Sequence, residues 1–544
     1  MTLGVIASCL GGCTGALSTT PPDAGSSVDA GSDGRLDDAT GPDAIAADSG
    51  PTPALDRYEP VEISLTALND HANPYVDVEL TAFVEPPAGS GEAPYAIAGF
   101  WDGGNVWRLR WAPRSAGTYT VRTECSDPTD AGLHGQGFAF GVGSTYSLEW
   151  APHGFLGIDT IARHYFERDD GTPFLWVGDT HWVNLYEVAW DQPIATDDYW
   201  RTVCDARAEQ GFNVLQAVVY NDSEHWDDGE QPFVGSDPDR INPVSWQRVD
   251  ARVTYAVRRQ LLVYLMTSSN GMHFAWSEAQ RARLYRYMVA RYAAYDVAFG
   301  GGEEVDRGGV GGDAAYRHMI DSLHNLDPYR RLVAMHATDT GVKVVPDDVD
   351  FLLIQYYTSD IDYLEGERCS RTYGKPFVNG ETYYFQNGQP GMDDPATIRR
   401  MAWRILLGGA AGYTYGHMGI VVPTGSPHPS SRDVSDARDA SAEEMRKVAA
   451  WLGQPGLSWW RFDRFEDLGS GRHLSGESAR QYVIHVEDDA TSFAVDLSDA
   501  AGTLSGEWYD IENDAAAGMV AVPASAAVTI SPPGPWHVLR LDAE

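Results

Sequence analysis

Cysteine is scarce. The 544-residue chain holds five, and two of them, Cys9 and Cys13, lie in the first stretch of the chain. The other three, Cys125, Cys204 and Cys369, fall in separate predicted elements. No CxxC and no Cys/His pair at ligand spacing occurs, so nothing points to a zinc site. The three are read as buried thiols, with a single disulfide as the alternative. HxH and HExxH are also missing. That leaves only a dispersed set for a hydrolase metal cluster, Asp179, His181, His336 and His417, and the expectation is no metal and no cofactor. Positive charge is in deficit: 39 Lys and Arg against 78 Asp and Glu, a formal charge of −39. Nucleic acid, whose phosphates such a surface repels, is excluded as a partner. No apolar run reaches the ~18 residues needed to span a bilayer.

What is present begins with a leader. MTLGVIASCLGGCTG sets an apolar stretch before small residues and Cys, the pattern of a bacterial lipoprotein signal ending at Cys9 or Cys13. Its usual basic start is lacking, since the first Arg is Arg35. Residues 14–57 are rich in Asp, Ala, Gly, Ser, Thr and Pro and contain no aromatic. Such a segment buries too little apolar surface to fold and reads as an extended tether. The expectation is an extracytoplasmic protein, lipid-anchored at the cell surface or secreted, that touches a membrane only through its anchor and acts as a monomer.

Hydrophobic content of 43% supports large cores, and the length fits three ordered domains behind the tail. Residues 58–145 carry short alternating runs (PVEISLTAL, VDVELTAFV, YAIAGFW, VWRLRWAP, TYTVRTEC, GFAFGVG) separated by Gly, Pro and Asp, as in an antiparallel β-sandwich. Asp102-Gly103-Gly104 is a hairpin candidate. Alternation puts Trp107, Leu109 and Trp111 on one face, read as core; the other reading has an aromatic bordering a ligand cleft. Residues 456–544 hold further short strands (YVIHVE, GEWYDI, AVTISPP, HVLRLD) and read as a second β-sandwich.

Between them, residues 146–455 alternate near-continuous apolar runs with helical patterns. Eight strands are predicted: 174–179, 212–219, 260–268, 296–304, 331–336, 351–357, 376–381 and 411–416. Their apolarity suits strands covered by helices, and eight units imply a (β/α)8 TIM barrel flanked by the two sandwiches. Barrel enzymes carry their chemistry at strand C-terminal ends. There stand Asp179, His181 and Trp182 (strand 1), Tyr220 and Asn221 (strand 2), Glu303 and Glu304 (strand 4), His336 (strand 5), Gln355 and Tyr356 (strand 6), Glu381 (strand 7), and Tyr415 and His417 (strand 8). Two carboxyl groups at one mouth are the minimum equipment for cleaving a glycosidic bond. Seventeen Trp and 27 Tyr also suit sugar rings, which stack on aromatic faces. Adjacent strand residues point to opposite faces, so only one of Glu303 and Glu304 is expected to enter the mouth, with Glu304 preferred.

FLWVGDTHW, GFNVLQAVVY, FGGGEE, PFVNGE and RRMAWRILLGGAAGYTYGHMGI resemble the apiosidase-like domain of glycoside hydrolases. GFWDGGNVWRLRWAP is similar to the immunoglobulin-like domain that often precedes it. YVIHVE, GEWYDI and PPGPWHVLRL are similar to the collagen-binding-type β-sandwich that follows it. The resemblance implies a clan-A-like barrel with the acid/base at the end of strand 4 and the nucleophile at the end of strand 7, carried over as Glu304 and Glu381. It implies a non-reducing sugar subsite lined by Asp179, His181, Trp182, His336 and Tyr415. The chain departs at two points: Glu replaces an Asp that can close the Gly-Gly end of strand 4, and Phe385 stands where members often have an acidic residue.

A retaining mechanism is expected. It needs one protonated and one ionised carboxyl about 5–5.5 Å apart. The expected function is a glycoside hydrolase acting on polysaccharide side chains or oligosaccharides. The alternative is a surface-anchored carbohydrate-binding or adhesion protein with an inactive barrel.

Overall fold

The computed structural model describes residues 55–160, 164–182, 185, 197–220, 231–302, 304, 312–338, 347–356, 363–421, 437–489 and 491–544. The expected leader, with Cys9 and Cys13, lies outside them, as does the tether up to residue 54. The last residues assigned to that tether are ordered: Leu55–Arg57 form a strand that pairs in parallel with Gly137–Tyr146.

Eight parallel strands close a barrel: β1 (Trp176–His181), β2 (Val214–Val218), β3 (Leu262–Met266), β4 (Val297–Gly300), β5 (Val333–Ala334 and His336–Thr338), β6 (Leu352–Gln355), β7 (Phe377–Glu381) and β8 (Gly412–Tyr415). The ring closes through β5, whose first part pairs with β4 and whose second part pairs with β6. Every strand residue is buried. That explains the near-continuous apolar runs.

The helices stand where periodicity and capping put them. Ser277 caps Glu278–Tyr292 with a complete capping box to Gln280. Asp394 caps Pro395–Leu407, with Pro in its first turn. Asp197–Glu209 ends before Gly211, whose φ of +78° suits glycine. No helix among the described residues is long and apolar enough to cross a membrane.

Before the barrel lies a seven-stranded sheet that wraps a core of Trp107, Leu109, Trp111, Leu80, Val121 and Phe140. Strand Tyr95–Trp101 turns the corner: its first half pairs with Leu80–Glu85 and its second with Val106–Trp111. Trp107, Leu109 and Trp111 are therefore core. The intervening Arg110 faces the barrel and donates to the Arg291 carbonyl (2.6 Å) and to Asp250 (3.1 Å). After the barrel, a six-stranded antiparallel sheet docks on helix Pro395–Leu407, where Arg404 grips Glu487 through two bonds of 2.7 and 2.6 Å. Cys125, Cys204 and Cys369 are free and buried, so the disulfide alternative does not hold among the described residues.

Candidate active site

Side-chain direction along the barrel strands decides what reaches the mouth. In β1, Trp176 points inward: its ring meets Tyr264 and Phe351, and its N–H donates to Thr414. Asp179 has the opposite parity. It accepts from Arg207 Nε at 2.5 Å, on helix Asp197–Glu209, and lies 2.9 Å from His181 Nε2. His181 packs on Trp200 of the same helix. Burial pushes the Asp179 carboxyl up, but the Arg207 guanidinium and His181 outweigh it and hold the group below the usual carboxylate range. Tyr415 also leaves the barrel interior, with its hydroxyl 2.6 Å from Ser441 on helix Ala440–Leu452. The structure thus puts Asp179, His181 and Tyr415 on the helix side of the barrel wall. They do not join the glutamates as the resemblance implied.

Glu381 reaches the interior because β7 is irregular. Leu353 pairs with Val378 and Ile354 with Asn379, but Gln355 pairs with Glu381, so Gly380 is an extra residue. Strict alternation from the inward Val378 would turn Glu381 toward the helices. The bulge returns it to the face of Gln355. A side chain at Gly380 would meet Leu353 at 2.6 Å, so the position suits glycine.

Glu304 lies past the end of β4, not within it as predicted. Strand alternation therefore does not choose between it and Glu303, which is outside the described residues. Gly302, at φ +139°, passes so close to the segment after β3 that a Cβ would stand 2.5 Å from the Ser268 carbonyl oxygen. Glu304 itself adopts φ +45°, a region non-glycine residues seldom occupy. Gly302→Ala is expected to destabilise the protein by about 1–3 kcal/mol through this strain. Urea unfolding measures it, and a change near zero contradicts the close approach.

Four further side chains assemble around the two glutamates. His336, fully buried on β5, accepts at Nδ1 from the Glu304 amide (3.2 Å), and its Nε2 lies 3.2 Å from Glu381 Oε2. An Nδ1 that accepts carries no proton, so the ring bears its proton on Nε2, facing the Glu381 carboxylate. Gln355 Nε2 donates to Glu304 Oε1 at 2.8 Å. The Tyr384 hydroxyl donates to Glu381 Oε1 in a short bond, and Trp182 Nε1 donates to the Tyr384 hydroxyl at 2.9 Å. Tyr384 was missed in the sequence. Its place three residues past Glu381, in ETYYF, was the available signal.

The other predicted residues lie elsewhere. Tyr220 is buried against Phe233 and Trp276. Tyr356 leaves the group: with Tyr363, Asn379 and Ile405 it lines a small cavity outside β7. His417 is buried, accepts from the Gly419 amide and packs at 5.4 Å on Phe385, which makes position 385 a packing site. Asn221 is outside the described residues. No three His, Cys, Asp or Glu side chains converge as metal ligands among the described residues.

The model of the apiosidase-like catalytic domain matches residues 161–460, more than half of the chain. The chain belongs to the apiosidase-like family. It is accordingly a glycoside hydrolase. A domain of unknown function, DUF5060, matches residues 54–126. No curated protein matches. Among solved structures, a candidate glycoside hydrolase from Bacteroides vulgatus superposes with a TM-score of 0.72 at 19% identity, covering 90% of this chain and 100% of its own. A family 5 glycoside hydrolase from the same organism gives 0.58 at 16%, covering 72% and 94%. A further glycoside hydrolase gives 0.57 at 16%, covering 74% and 99%. At these identities the likeness is one of fold, and the chemistry of this apiosidase-like protein has to come from its own residues.

Proposed function

We propose that the protein is a retaining glycosidase that removes sugar units from polysaccharide side chains or oligosaccharides, with Glu381 as nucleophile and Glu304 as acid/base. The observation that carries this reading is His336: one imidazole contacts the Glu304 backbone through Nδ1 and faces the Glu381 carboxylate through Nε2. Two carboxyl-bearing residues, 77 positions apart in sequence (304 and 381), thereby share one side chain at one barrel end.

In the first half-reaction an oxygen of Glu381 attacks the anomeric carbon and forms a glycosyl-enzyme ester. The glycosidic C–O bond breaks, and the leaving oxygen takes the Glu304 proton. In the second, Glu304 removes a proton from water, the water oxygen attacks the anomeric carbon, and Glu381 departs as carboxylate. Glu381 ends a strand of a barrel wall buried throughout, and Glu304 is tied to β5 and β6 through His336 and Gln355, which supports a fixed separation. The N-terminal Cys and the Asp-rich tether suit anchorage at an outer cell surface.

Proton NMR of the first-formed anomer tests the mechanism. The expected product has the substrate's anomeric configuration, and an inverted product refutes double displacement.

A further inference from the structure

The resemblance implied that Trp182 lines the sugar subsite. The residue is only 8% exposed, too little for a stacking platform. Its indole N–H is committed to the Tyr384 hydroxyl at 2.9 Å, and its ring meets the His336 imidazole edge-on at 5.4 Å. Tyr384 and His336 are the groups that face Oε1 and Oε2 of Glu381. One tryptophan just past β1 therefore touches both groups that face the carboxylate on β7, two strands away around the barrel.

Resting on the glycosidase reading above, we infer that Trp182 is a positioning residue: it braces Tyr384 and His336, and through them fixes the orientation of Glu381. The surroundings leave the brace little slack. Tyr384 is buried, and a Cβ at Gly416 would stand 2.3 Å from its ring, so the backbone just after β8 packs directly against it. Trp182 donates to the Tyr384 hydroxyl, which in turn donates a hydrogen bond to Glu381, and each hydrogen bond in such a chain polarises the next. A carboxylate hydrogen-bonded at Oε1 and faced by an imidazole at Oε2 attacks along one line. Once a support goes, it explores orientations from which attack is unproductive.

The inference separates from a sugar-platform role in the kinetics. Removing a platform weakens ground-state binding and raises KM, whereas loosening the nucleophile lowers kcat. The test compares wild type with Trp182→Phe, Tyr384→Phe, the double variant and Glu381→Gln on whichever 4-nitrophenyl glycoside the wild-type protein hydrolyses fastest. The expected results for Trp182→Phe are a kcat loss of about 10–100-fold, of the size that small misplacements cost, and a KM within about threefold. The double variant should fall no further than Tyr384→Phe alone, because both act through one carboxylate. A KM rise of tenfold or more with kcat retained overturns the brace and restores the platform. Fully multiplicative losses overturn the shared route. Activity in Glu381→Gln, or no turnover by wild type on any glycoside of the panel, overturns the glycosidase reading itself, and the brace with it.

Discussion

Glu381→Gln and Glu304→Gln are each expected to leave the fold intact and to remove most activity, but with different dependence on the leaving group. An acid/base contributes about 10²–10⁴-fold through proton transfer. Its loss matters most when the departing oxygen is basic. Glu304→Gln should therefore lose about that factor on an alkyl or oligosaccharide substrate and far less in the first half-reaction of a dinitrophenyl glycoside, whose leaving group departs without a proton. Glu381→Gln has no such escape, because every substrate needs the nucleophile; its loss should be about equal for both leaving groups. Steady-state kinetics on the pair of substrates, with thermal unfolding as control, checks both. If Glu304→Gln loses the same factor on both substrates, Glu304 is not the acid. Glu303→Gln, run beside it, identifies the competitor if it shows the leaving-group dependence instead.

The second large effect concerns the joint between the first β domain and the barrel. Arg110 lies on the strand face opposite Trp107, Leu109 and Trp111. It donates to Glu62 (2.6 Å), Asp250 (3.1 Å) and the Arg291 carbonyl. Arg291 donates to Asp250 (2.6 Å) and Asp102 (3.0 Å), and Arg108 to Asp102 (2.6 Å). Three cations and three anions thus neutralise one another in a nearly dry interface. Asp250→Ala removes the acceptor shared by two buried guanidinium groups and is expected to cost about 3–5 kcal/mol. Urea unfolding measures it; a loss below about 1 kcal/mol would mean the network is not buried in solution. Combining Asp250→Leu with Arg110→Met should cost less than the two single changes summed, since each then removes a charge the other left stranded.

The same carboxyl gives a pH signature. Burial pushes Asp250 up, but Arg291 and Arg110 outweigh it and hold it below the usual carboxylate range. A depressed carboxyl contributes stability above its unfolded value of about 3.9 and loses it as pH falls through the folded one. Wild type should therefore lose stability on acidification below about pH 4 more steeply than Asp250→Ala does.

The residue pattern alone was enough for the barrel, because its information is local. An apolar run buried on both faces, a capping Ser three residues before Gln280, or a Gly after a helix declares itself within one window of sequence. That pattern also brought Glu304, His336, Gln355 and Glu381 to notice at one end of the strands. Direction was another matter. Asp179, His181 and Tyr415 stand as close to strand ends in sequence as Glu381 does, yet they face helices. Glu381 faces inward only because Gly380 is an extra residue in the pairing with β6. A register shift belongs to two strands at once and leaves no mark in either taken alone. The shared imidazole, the Trp182–Tyr384 brace and the burial of Arg110 against the barrel follow likewise from which surfaces meet, which only the folded chain decides.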